Sequence, residues 1–235
     1  MRRCRRYAHR GAATLTAPVR SVLLATLTLL VAAPAAQAAV TVSIKLTPAE
    51  AQFGHRTMIS GTVLSDGAPL AGTPVELDVR RYPFEQPFAP LAATTTAADG
   101  TYAFEQKLDR NAQFRVIAAA TKSHRVHAYV FPATTLTFAA RSSRVIRLTQ
   151  RYKVPKGVRL TQPTIFYVGK RGRASAPRVA TAKLKKIRAG RYRSSAIVRL
   201  PASWHGRFRY ASCFRYSGGS GMGNPRAGCP KRFRF

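Results

Sequence analysis

The residues able to do acid–base, nucleophilic or metal chemistry are few in this chain and unevenly placed. All eight carboxylates, Glu50, Asp66, Glu76, Asp78, Glu85, Asp99, Glu105 and Asp109, precede position 110, whereas residues 141–235 hold 25 Lys and Arg and no Asp or Glu. The second half therefore supplies neither a carboxylate acid–base pair nor a Ser-His-Asp triad of its own. An enzyme, such as an extracellular hydrolase, or a hydrolase inhibitor would have to use an interdomain cleft, with Asp or Glu borrowed from the first half. His124 and His127 are three apart, on opposite faces of an extended segment, and do not form a metal pincer. Cys213 acts as a nucleophile beside His205 only as a free thiol. The Gly-rich stretch at 218–223 lacks the Gly-Lys-Ser/Thr of a phosphate-binding loop. No cofactor, metal ligand set or catalytic residue is expected, and the expectation is a non-enzymatic protein.

What remains is charge. Residues 39–140 carry nine basic and eight acidic side chains and are nearly neutral, so the formal net charge of +32 sits mainly in the second half and in six Arg before position 21. A surface of one sign repels itself, attracts polyanions and displaces their counterions. High-GC coding bias inflates Arg, but it does not account for 95 residues without one acid alongside seven Lys. The candidate anion contacts are the exposed turn Lys170, Arg171 and Arg173, and the dense stretch Lys183, Lys185, Lys186, Arg188, Arg191 and Arg193. The expected partners are an anionic cell-wall or glycan polymer or an anionic lipid surface, with nonspecific nucleic-acid contact as a further outcome. No helix-turn-helix or zinc pattern signals base-specific reading. The remaining alternative is a purely structural module whose charge is incidental.

The start of the chain fixes the expected compartment. Arg2, Arg3, Arg5 and Arg6 precede an uncharged apolar run at 21–33, then Pro34 and Ala36-Gln37-Ala38. This reads as a signal peptide over 1–38, cleaved near Ala38/Ala39. The run is shorter than the roughly 20 residues a spanning helix needs, although an uncleaved anchor is the competing reading. No later segment is apolar enough to span a membrane. A secreted or envelope-associated protein follows. In an oxidising compartment, Cys213 and Cys229 read as a disulfide, with two free thiols or half a metal site as the alternatives.

The elements that must position these groups are strands. Helix signals are scarce, and alternation with a period of two is frequent. Val75, Leu77 and Val79 alternate with Glu76 and Asp78. Asp66-Gly67 reads as a turn, and Asp99-Gly100 as a hairpin turn between Thr94–96 and Tyr102–Phe104. Thr164 to Val168 is an apolar strand, and Phe208 and Tyr210 alternate with Arg207 and Arg209, as Phe233 and Phe235 do with Arg232 and Arg234. A helical turn is the alternative to a strand over 179–187. The insert at 80–90 reads as a Pro-rich loop folded onto the sheet, with ligand binding as its alternative.

Gly61-Thr62-Val63, Pro69-Leu70-Ala71-Gly72-Thr73-Pro74-Val75-Glu76-Leu77 and Asp99-Gly100-Thr101-Tyr102-Ala103-Phe104 together resemble bacterial immunoglobulin-like modules of the carboxypeptidase-regulatory-like or transthyretin-like sort. The resemblance covers about 41–138. It implies a β-sandwich used as a spacer, adhesion element or binding platform, and it transfers no catalytic residue. No family is recognised over 141–235. The expected architecture is all-β, two small antiparallel immunoglobulin-like sandwiches after the signal peptide. These are an immunoglobulin-like sandwich at 39–138, a linker at 139–143, and a cationic disulfide-stapled β domain at 144–235.

Overall fold

A computed structural model describes residues 38–204, 206–216 and 218–235; the signal-peptide reading and His205 lie outside the described residues. The first half forms β1 (Val40–Val42), β2 (Lys45–Thr47), β3 (Glu50–Gln52), β4 (Arg56–Ser65), β5 (Ala68–Pro69), β6 (Pro74–Arg81), β7 (Ala89–Thr95), β8 (Thr101–Lys107), β9 (Ala112–Ala118), β10 (Thr121–Lys122) and β11 (Val126–Phe131). The second half forms β12 (Ala133–Ser142), β13 (Val145–Lys153), β14 (Thr164–Lys170), β15 (Ser175–Ala182), β16 (Lys185–Arg188), β17 (Arg191–Arg199), β18 (Phe208–Phe214) and β19 (Arg232–Arg234). The fold is all-β, as the alternation predicts. All its strand pairs are antiparallel except β3 with β11.

In the first sandwich, β4 joins β1, β2, β5 and β8 in one sheet, and the other runs β3-β11-β9-β6-β7 with β10 on β9. Period-two patterning puts Val75, Leu77 and Val79 of β6 and Phe114 and Val116 of β9 between the sheets, each 3% exposed or less. The Asp66-Gly67 turn joins β4 to β5, both residues at positive φ. Asp99-Gly100 does not make a hairpin: β7 pairs with β6 and β8 with β4, so the turn carries the chain from one sheet to the other. The turn itself is local and tight, with Thr101 N and Oγ1 donating to Asp99 Oδ1 at 3.0 and 2.7 Å. What sends the strands apart is the apolar demand of both sheets, with Tyr102 and Phe104 buried in the shared core.

The second sandwich stacks the sheet β12-β13-β17-β16 on the sheet β18-β14-β15-β19. Ile146, Leu148, Phe166, Val168, Val198 and Leu200 fill the space between them. Central strand β14 is buried on both faces, because the C-terminal segment covers its outer side. There Ile165, Tyr167 and Ala176 meet Phe233 and the bonded pair Cys213–Cys229. The segment 179–187 is strand, in β15 and β16, rather than helix. Residues 139–143, expected as a linker, run through the end of β12 and the turn into β13. The chain leaves one sheet for the next at Pro132, which has no N–H to extend the β11 ladder.

Residues 38–235 pack as one compact unit. A fourth apolar cluster joins Val130, Phe53 and Leu108 to Tyr152, Val154, Val158, Phe214 and Met222. The Gly-rich loop enclosed by the disulfide enters this junction. Met222 is 2% exposed, and Asn111 anchors the loop: its N donates to Gly221 O (2.8 Å) and its Nδ2 to Gly223 O (2.9 Å). Gly223 N donates to Val130 O, and Val130 N to Asn111 Oδ1, at 2.8 and 2.9 Å. Gly221 and Gly223 sit at positive φ with the rings of Tyr82 and Tyr216 where a Cβ would go, so only glycine lets the loop approach this closely.

Candidate anion-binding face

The inner face of β13 is Ile146, Leu148, Gln150 and Tyr152, all buried, which forces Arg147, Thr149, Arg151 and Lys153 to the outside. The same parity on β17 buries Tyr192, Ser194 and Val198 and turns Arg191, Arg193, Ser195, Ile197 and Arg199 outward. The register then sets the charges against each other: Arg151 opposite Arg193 and Lys153 opposite Arg191. On the far side of β17, Lys185 opposes Arg193 and Arg188 opposes Arg191. A register shift between Lys186 and Arg188 allows Lys185 and Arg188, three apart, to lie in the same two rungs. Two adjacent rungs of the sheet thus present six exposed cations, three in each. Like charges directly opposite on a sheet cost stability, by about 0.2–1 kcal/mol per pair.

Among the described residues no ion pair neutralises them: the ion pairs are Arg56–Glu105 and Arg115–Asp78, both in the first sandwich. The third rung is uncharged, with Thr149 Oγ1 3.1 Å from Ser195 Oγ. Beneath the cations the floor is held by inward rings, with Tyr152 OH 2.6 Å from Thr164 Oγ1 and Tyr192 OH donating to Val158 O at 2.9 Å. Burial pushes the Tyr152 phenol well above its ordinary pKa, so this hydroxyl stays neutral.

The face is hollowed along the strands. A groove of about 550 Å3 is lined by Arg151, Lys153, Arg188, Arg191 and Arg193, with Ile187 on its rim. Toward Arg147 it meets a hollow of about 350 Å3 that shares Arg193 and contains Thr149 and Ser195. Toward the first sandwich it meets another of about 440 Å3 that shares Lys153, Arg188 and Arg191 and adds Lys156 and Phe53. The Lys153 Nζ lies 6.0 Å from the Phe53 ring centroid, within reach of a cation–π contact.

The expected site residues divide between surfaces. Lys185, Arg188, Arg191 and Arg193 come together on this face. Lys186 pairs with Tyr192 and lines a separate hollow of about 730 Å3 with Arg159. Lys183 is exposed between β15 and β16. Lys170, the last residue of β14, and Arg171 and Arg173 of the β14–β15 turn are exposed on the other sheet, where Arg171 N donates to Arg207 O at 3.2 Å. Arg147, Arg151 and Lys153 were not singled out from the sequence, although their alternation with buried residues marks them as outward.

No family model matches the chain, and no curated protein matches it. Among solved structures the chain is similar to the crystal structure of Salmonella alpha-2-macroglobulin reacted with methylamine, at 9% identity and a TM-score of 0.32. It is also similar to the native conformation of E. coli alpha-2-macroglobulin determined by cryo-electron microscopy, at 8% identity and a TM-score of 0.34. In both cases the match takes in 83% of this chain and 16% of the other. The chain therefore spans about a sixth of the length of those proteins.

Elsewhere, the insert at 80–90 folds back onto the first sandwich. The Arg115 guanidinium stacks 4.5 Å from the Phe88 centroid and donates to Asp78, which is 2% exposed. A cavity of about 270 Å3 at the junction is lined by Tyr82, Phe84, Gln113, His127, Tyr129 and Arg226, and by no carboxylate. Desolvation, then the charges of Arg125 and Arg226, hold the His127 pKa below the usual imidazole value. No helix among the described residues is long and apolar enough to cross a membrane.

Proposed function

We propose that this is an exported, non-enzymatic protein of the cell envelope or medium, with 1–38 as its signal peptide, and that it binds an anionic polymer on the outer face of the β12-β13-β17-β16 sheet. The observation that carries the reading is the pair of unneutralised cation rungs, Arg151–Arg193–Lys185 and Lys153–Arg191–Arg188. A sheet assembled only for stability would place opposite or uncharged partners there. An anion bound along the groove converts that repulsion into attraction, each neutralised charge releasing counterions. The first sandwich, nearly neutral, acts as the spacer or platform that its resemblance to immunoglobulin-like modules implies. The disulfide Cys213–Cys229 is in keeping with the oxidising compartment outside the cytoplasm.

Lysine acetylation with and without a saturating anionic polymer tests the site. Protection is expected at Lys153, Lys156 and Lys185, with Lys170 and Lys231 modified as before. Uniform protection of all five overturns the assignment.

A further inference from the structure

Resting on that reading of the face, the geometry points to one polymer chemistry: we propose that the groove takes a linear phosphodiester chain whose phosphates are joined through three carbons, a polyol phosphate. The hollows lie in line along β13, and from Arg147 to Lys153 that strand runs about 20 Å. The site is a track for a chain laid parallel to the strands, and its length admits about three repeats. The track is concave, so a flat lipid surface meets its rims before its rungs.

The spacing follows from bond counting. Two residues facing the same side of a strand are separated by six backbone bonds, spanning about 6.8 Å. A phosphodiester chain built on a three-carbon unit repeats as P–O–C–C–C–O, also six bonds, with one negative charge per repeat. Extended beside β13 and β17, its charges keep step with Arg151 and Lys153 and with Arg193 and Arg191. Inorganic polyphosphate carries a charge every two bonds and overfills the rungs. A glycosaminoglycan with one carboxylate per rigid disaccharide, such as hyaluronan, leaves rungs unmatched.

The uncharged rung favours a polyol over a nucleic acid, which shares the six-bond repeat. Thr149 and Ser195 offer hydroxyls beside the track, partners for the free hydroxyls of a polyol chain. Stacking of successive bases needs a run of exposed rings along the path. The tyrosines beneath the cation rungs, Tyr152 and Tyr192, are turned into the core, which leaves the half-buried Phe53 at one end as the ring lining the track.

The test is the affinity of the whole protein for poly(glycerol phosphate), polyphosphate, hyaluronan and single-stranded DNA, matched in total charge at about 0.15 M salt. Poly(glycerol phosphate) is expected to bind at least about tenfold more tightly than the other three. Thr149→Val with Ser195→Ala, which removes the two hydroxyls beside the track, is expected to lower its affinity about threefold or more, the size of one hydrogen bond, and to leave that for polyphosphate unchanged. An equal loss for both overturns the polyol assignment. Equal affinity for all four overturns the phosphodiester assignment and leaves polyanion binding standing. Tightest binding to DNA overturns the polyol assignment. Binding to none overturns both the assignment and the reading it rests on.

Discussion

Arg151 and Arg193 stand directly opposite each other across β13 and β17, both exposed, with Lys185 opposed to Arg193 on its other side. Three cations in one rung without a carboxylate is an arrangement that weakens the sheet holding it. The cost persists because the inner faces of the same strands, Leu148, Tyr152, Tyr192 and Val198 among them, are buried in the apolar clusters and fix the register.

It follows that neutralising the rung relieves strain. Arg151→Gln with Arg193→Gln should raise the stability of the free protein by about 0.2–1 kcal/mol, read from urea unfolding at low salt. A loss of stability would mean that these guanidiniums hold the fold rather than a ligand.

The disulfide closes a loop with a sequence separation of 16 residues, worth about 3 kcal/mol on the chain-entropy model. Because that loop enters the junction, reduction should loosen more than its own surroundings. Hydrogen exchange at the amides of Asn111 and Val130, both bonded in the anchor, is expected to accelerate on reduction. Unchanged melting and unchanged exchange would contradict this role of the disulfide.

Asn111 links three strangers in sequence: its own turn, Val130 and the 221–223 loop. Its replacement by Ala leaves Val130 N and Gly223 O without this partner in a buried setting, at a cost of about 2–4 kcal/mol. Urea denaturation of the variant measures it, and a loss below about 0.5 kcal/mol would place the junction's strength in the apolar cluster alone.

His127 titrates below the ordinary imidazole value of 6.5, first through desolvation and then through Arg125 and Arg226. The unfolded chain therefore takes up the proton before the folded one does. The contribution is fully present above pH 6.5 and is lost as pH falls from there through the folded pKa. An NMR titration of the ring should place its midpoint below 6.5. A midpoint at or above that value contradicts the environment described.

Much of the architecture was legible because strand parity is local. Ile146-x-Leu148 and Arg147-x-Thr149-x-Arg151-x-Lys153 separate core from surface without knowledge of any partner. The opposition of Arg151 to Arg193 was not legible, since it depends on a ladder formed between residues 42 apart. Nor was the shift at Ile187, which brings Lys185 and Arg188 onto one face and turns Lys186 to the other. Counting charge along the chain put Lys170, Arg171 and Arg173 together with Lys185, Arg188 and Arg193, whereas the sheets separate them. The Asp99-Gly100 turn reads as a hairpin because turn chemistry is local, while the choice of sheet for β7 and β8 is made by the core. Asn111 carried no signal at all: one Asn after Asp109-Arg110 looks like any other loop.

The most direct test of polyanion binding by this face is the salt dependence of affinity for one anionic polymer, compared between two double variants of equal charge. Arg151→Gln with Arg193→Gln should reduce the slope of log K against log salt by about 1.4, at about 0.7 per contact for a single-stranded polyanion. Arg171→Gln with Arg173→Gln should leave the slope as it is in the unaltered protein. If the two pairs lower it equally, the charge acts as a whole-domain property, and the face between β13 and β17 is not the site.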